Sequence, residues 1–132
     1  MLSQGSEPER VYADKQLVIS RADSASGLSI AGAIDYYNAE AVAEALTTLF
    51  HADGQAPAIF RDAITGNGDL HLDLSRLEFT DVTGIRALVR IAETAGDGRK
   101  LVLRGLPASI VKVMTVVGWS ELPNLVIEPA TE

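Results

Sequence analysis

The chain has 132 residues, 47% of them apolar, so it is long enough to bury one hydrophobic core without a metal or disulfides, and too apolar to be disordered. It contains no cysteine, which excludes disulfide scaffolds, cysteine zinc sites and cysteine nucleophiles. A net charge of −7 with no basic stripe repels phosphate backbones, so nucleic acid is not an expected partner. The acidic excess lies outside Asp69 to Arg104, where positive and negative side chains cancel. No apolar run approaches the roughly 18 residues of a membrane span. The start, MLSQGSEPER, lacks the apolar stretch of a leader, so a cytoplasmic protein with no membrane span is expected.

In chain order, residues 1–13 are polar and without periodicity and read as a flexible N-terminal tail, followed by one domain over 14–132. Gln16–Ser20 and Leu28–Ile34 are short β-branched runs joined by the turn-rich RADSASG, which predicts a hairpin. In YYNAEAVAEALTTLF, Val42, Leu46, Leu49 and Phe50 recur at i, i+4, i+7 and i+8. This is one face of an amphipathic helix, with Asn38 as its N-cap and Glu40 in its first turn. The stretch 51–68, HADGQAPAIFRDAITGNG, is long for a structureless connection in a compact domain. Its Ile59, Phe60 and Ile64 are too apolar to be left in water and are expected to pack on the domain or on another chain.

Leu70, Leu72 and Leu74 alternate with His71 and Asp73, the period of a strand. Ile85, Leu88, Val89 and Ala92 then form a helical stripe, with Arg86, Arg90 and Glu93 on another face. Asp81 stands at the N-cap, where its carboxylate can accept the N–H of Thr83 or Gly84. Gly96 and Gly98 end the helix, and Leu101–Gly105 is the next strand. Pro107 opens a further helix that Gly118 terminates, with Ile110, Val111, Val113, Met114 and Val117 expected on its buried face. Trp119, the only tryptophan, is expected to close one end of the core, and Asn124–Glu128 forms a last strand between two prolines. The order ββαβαβαβ calls for right-handed crossovers. It predicts an α/β domain with a mixed, mostly parallel sheet, helices packed on it, and the hairpin as an antiparallel edge.

The segment DLSRLEFTDVTGIRAL resembles the signature of the STAS domain, found in anti-sigma-factor antagonists and in the regulatory modules of sulfate transporters. Asp73, Leu74, Ser75, Phe79, Asp81, Thr83 and Gly84 match it; Val82 stands where phospho-regulated members carry the serine that a partner kinase modifies. Gly32-Ala33-Ile34-Asp35 is similar to the Gly-Glu-Ile-Asp that closes the second strand in that family, with Ala33 the departure. The resemblance implies a STAS-like fold in which 51–68 contains an insertion, since the family commonly makes this crossing in a few residues, and in which the family's closing C-terminal helix has no room. It also implies a non-enzymatic interaction module without a cofactor, an anti-sigma-factor antagonist-like regulator. The partner would be an anti-sigma-factor kinase or a related regulatory protein, met through Thr80, Asp81, Val82, Thr83, Gly84, Arg86 and Arg90. Thr83, then Thr80, would be the fallback phosphorylation sites, and a homodimer is left open. Two alternatives stand beside this reading: a structural STAS subunit of a larger signalling or lipid-transport assembly, and a small-molecule or nucleotide-binding regulator.

Other chemistry is poorly served. His71 and Asp73 share one side of a strand, yet no third metal ligand stands at a helpful spacing, so no metal site is expected. Ser75, His71 and Asp73 supply the letters of a nucleophilic triad without the nucleophile-elbow pattern. The glycines of TGNGDL precede a strand instead of opening a helix, unlike a phosphate-binding loop, and there is no Walker lysine motif.

Overall fold

The computed structural model describes residues 10–22, 27–51, 68–96 and 98–129. The hairpin turn at 23–26, most of the expected insertion and its Ile59, Phe60 and Ile64 lie outside the described residues, as do residues 1–9. The elements are β1 (Arg10–Ala13), β2 (Leu17–Arg21), β3 (Leu28–Ile34), α1 (Ala39–Phe50), β4 (Leu70–Asp73), β5 (Leu77–Thr80), α2 (Val82–Glu93), β6 (Leu101–Leu106), α3 (Ala108–Val116) and β7 (Leu125–Pro129). A single 3-10 turn, Trp119–Glu121, follows α3.

The strands form one mixed sheet in the order β1-β2-β3-β4-β6-β7, with β5 also paired to β3. β1, β2 and β3 are antiparallel, with Ile19 opposite Ile30; β3-β4, β3-β5, β4-β6 and β6-β7 are parallel. Successive right-handed crossovers moving in one direction across a sheet leave their helices on the same face. The burial agrees: Leu17, Ile19, Leu28, Ile30, Leu70, Leu72, Leu101 and Leu103 are buried in one cluster with Val42, Leu46, Leu88 and Met114 from the helices. The alternate positions Ser29, His71 and Asp73 point to the other face and are half-exposed.

Four sequence expectations are corrected. Arg10–Ala13, assigned to a tail, add the edge strand β1, because Tyr12 donates its hydroxyl to Asp14 and packs against the core. The run from Leu77 to Thr80 is a strand of its own. Asp73 accepts both the N–H and the hydroxyl of Ser75 (3.0 and 2.7 Å), which breaks the chain after β4, and it resumes as β5 beside the last residues of β3.

The third correction concerns α3. Ile110, Val111 and Met114 face the core, but Val113 and Val117 are exposed, and Val116 is 77% exposed. The helix covers the edge strand β7, where only a narrow stripe finds sheet beneath it. The fourth is Asn38, which occupies the N-cap of α1 but makes no side-chain cap bond. Its amide instead donates to Asp14 Oδ2 (3.1 Å) and the Ala33 carbonyl (3.0 Å), and its oxygen accepts the Asp35 N–H (2.9 Å). Trp119 is half-buried against the core, as expected.

Two polar devices hold the frame. Arg99 donates to the carbonyls of both Phe50 and Gly68 and lies over the Phe50 ring, 4.9 Å from its centroid. It thereby ties together the two chain ends that flank residues 52–67. Arg99→Ala is expected to cost about 1–3 kcal/mol in a denaturant titration, the value of hydrogen bonds from a charged donor plus the ring contact.

The second device is Asp14, whose Oδ1 accepts the N–H groups of Gln16 and Leu17 while Oδ2 accepts from Tyr12 and Asn38. Burial pushes the Asp14 carboxyl up, but these hydrogen bonds outweigh it and the net shift is downward. Tyr12 is pushed up to about 12 by burial, then by its bond to Asp14. On the open sheet face, His71 is lowered by burial and by the Arg104 charge.

A depressed folded pKa means that the unfolded chain binds protons more readily, so stability falls as pH drops. Two acid limbs are expected: one starting below about pH 6.5 from His71, and one below about pH 4 to which Asp14 contributes. Denaturant midpoints measured against pH should lose the upper limb in His71→Gln and flatten the lower one in Asp14→Asn.

Candidate partner-binding site

β5 runs directly into the start of α2. Asp81 takes an extended conformation there and its carboxylate accepts the Gly84 N–H at 2.9 Å, the bond expected from the sequence. Its carbonyl accepts from Ile85 at 3.1 Å, so the first helical turn is fixed at both levels.

Gly84 is buried, and a Cβ there would stand 2.8 Å from the Ile34 carbonyl oxygen and 2.3 Å from the Thr80 hydroxyl. Only glycine lets the first turn of α2 press onto the end of β3. That contact fixes the height at which the next residues are presented. Val82, the first residue of α2, is 61% exposed, and Thr83 is exposed beside it. Thr80 is half-buried, with its hydroxyl donating to the Asp81 carbonyl (3.3 Å), so of the two threonines Thr83 is the accessible one. Arg86 and Arg90 are exposed one and two turns further on. The fold thus brings the seven sequence-predicted residues to one end and one side of α2, with Thr80 and Gly84 turned inward.

Beside them lies an open groove of about 810 Å³ between α1 and α2. Its α2 wall carries Val82, Thr83, Arg86 and Arg90; its α1 wall carries Glu40, Glu44, Thr47 and Thr48. Tyr36 heads it, 74% exposed and edge-to-face with Tyr37. The sequence reading passed over Tyr36, Tyr37 and the groove's acidic wall. Two adjacent tyrosines just before a helix, at positions the apolar stripe does not use, were the available signal.

Ser75 and Asp73 form a local turn in which the Ser75 hydroxyl donates to Asp73 Oδ1. Among the described residues no group of three His, Asp or Glu is placed to hold a metal, and no helix is long and apolar enough to cross a membrane.

A sheet covered by helices on one face, with a carboxylate-capped helix start exposed at the ends of its parallel strands, defines a small α/β module that presents a surface. The chain belongs to the STAS domain family: the family model described as Mlab, STAS domain matches residues 17–127. Among solved structures it is similar to an anti-sigma factor antagonist from Mycobacterium paratuberculosis, at 23% identity over 83% of each chain, with a TM-score of 0.52. It is also similar to the murine anion transporter Slc26a9, at 19% identity and a TM-score of 0.50, over 83% of this chain but only 17% of the transporter. No curated protein matches the chain.

Proposed function

We propose that this STAS domain is a non-enzymatic, cytoplasmic interaction module, an anti-sigma-factor antagonist-like regulator that binds an anti-sigma-factor kinase or a related regulatory protein through Thr80 to Arg90. The observation that carries the reading is Val82: an exposed apolar side chain at the first turn of a helix whose start is already capped by Asp81. A serine at this position would accept phosphate, adding a charge of about −1.5 to −2 to the partner surface. Valine has no hydroxyl, and its exposed methyl groups suit a contact that is not switched off there. The solved antagonist of similar fold is one support for the regulator reading.

The same valine favours one second reading, a structural subunit that stays bound in a larger assembly. Pull-down with mass spectrometry separates the two by naming the partner.

Incubation with candidate partner kinases and ATP is expected to leave the wild-type chain unphosphorylated and its binding unchanged. Stoichiometric phosphate on Thr83 that abolishes binding would instead mean that the switch has moved by one residue. Val82→Ser is the gain-of-regulation variant. A kinase that docks here should phosphorylate the new serine, whereas a structural subunit should leave it untouched.

A further inference from the structure

The groove between α1 and α2 has walls of opposite sign. Glu40 and Glu44 are exposed on α1, and Arg86 and Arg90 are exposed on α2. The two helices run in the same direction, because each returns the chain from the end of one parallel strand to the start of the next. Each has 12 residues, giving walls about 18 Å long. The floor is low: Ala39 and Ala87 are buried and Ala43 half-buried between the walls. Ile91 also lines the floor but is only 1% exposed, so another helix pair would meet mostly alanine along the centre.

We propose that a second copy of this chain docks face to face in this groove, about a two-fold axis parallel to α1 and α2. The charges select that axis. An axis across the helices would lay α1 on α1 and α2 on α2, setting glutamate against glutamate and arginine against arginine. An axis along them lays each copy's acidic α1 wall on the other's basic α2 wall, at the same height in both halves, as an isologous interface requires. The same operation stacks the exposed Tyr36 at the head of the groove against the exposed Val82 of the other copy, closing one end with apolar contact. The net charge of −7 opposes association at long range. At physiological ionic strength the screening length is only about 8 Å, so contacts across the groove outlast that repulsion.

The proposal uses Val82, Arg86 and Arg90 from the surface assigned above but does not rest on that assignment. Sedimentation decides self-association, and capture of a partner decides the other. Where both hold, dimerisation hides the partner-binding face.

The test is charge exchange. Glu40→Arg/Glu44→Arg gives a chain with two basic walls, and Arg86→Glu/Arg90→Glu gives one with two acidic walls. All four positions are exposed, and a thermal melt by circular dichroism checks that each variant folds; Glu44→Arg and Arg86→Glu alone serve if a double variant does not. By sedimentation equilibrium the wild-type chain is expected to dimerise reversibly. Each variant alone should show a dimer dissociation constant raised by about a hundredfold or more, since like charges then face each other. An equimolar mixture of the two should recover a dimer containing one of each. A wild-type chain that stays monomeric at millimolar concentration overturns the proposal, and leaves the groove to an unrelated partner. A dimer that both variants retain, or a mixture that recovers nothing, also overturns it.

Discussion

Gly32→Ala is expected to lower the free energy of unfolding by about 2–6 kcal/mol, combining a non-glycine residue at positive φ with overpacking against fixed backbone. Gly32 sits in β3 at φ 119°, and a Cβ there would lie 2.1 Å from the carbonyl oxygen of Gln16. Neither neighbour can yield cheaply. The Gln16 carbonyl accepts the Ala33 N–H at 2.9 Å, and the Gly32 N–H donates to the Arg76 carbonyl at 3.2 Å. Gly32 is opposite Leu17 of β2 on one edge and Leu77 of β5 on the other, and the β3–β5 register slips between Gly32 and Ala33, so its backbone is held from both sides. Urea titration of the variant reads the loss directly. Against a total stability of about 5–15 kcal/mol, the upper part of this range would unfold the domain outright. A loss below about 1 kcal/mol would show that the β3 backbone relaxes freely.

Leu88→Ala should cost about 2–5 kcal/mol, the usual range for truncating a fully buried leucine. Leu88 is 1% exposed, between Ile85 and Ile91 on the face of α2 that meets the sheet. Arg86→Ala, two residues away on the exposed face, provides the control and should stay within about 0.5 kcal/mol of wild type. If the two variants unfold at the same denaturant concentration, the buried face of α2 has been misassigned. The pair also separates stability from binding: Leu88→Ala should weaken partner capture only where the domain unfolds, while Arg86→Ala should act on capture at unchanged stability.

Much of this architecture could be read from residue spacing. The α2 stripe of Ile85, Leu88, Val89 and Ala92 is buried as expected, and so are Val42, Leu46, Leu49 and Phe50 of α1. In both, a 3.6-residue repeat has a broad sheet beneath it, so the periodic face and the covered face coincide. Asp81 was equally legible, because capping is local chemistry: a carboxylate three residues before a donor N–H needs no tertiary partner.

What spacing left undecided is wherever two local solutions are equivalent until something distant chooses. The α3 sequence supports one stripe through Ile110, Val111 and Met114 and another through Val113 and Val117, and the position of the helix over the edge strand β7 buried the first. Asn38 had a cap to make. It gave its side chain to Ala33, 5 residues earlier, and to Asp14, 24 residues earlier, which comes within reach only when the hairpin folds back. The pairing of β1 with β2 and the opposition of Glu40 and Glu44 to Arg86 and Arg90 have the same origin. The sequence by itself determined the three helices and the strongly periodic strands, where α2 begins and which faces are apolar, since these depend on torsions and periodicities within a few residues; β1 and β5 show no such period and exist through their pairing with β2 and β3. Only the tertiary structure decided which of several apolar faces is covered and which charges confront one another, because both are distances between segments far apart along the chain.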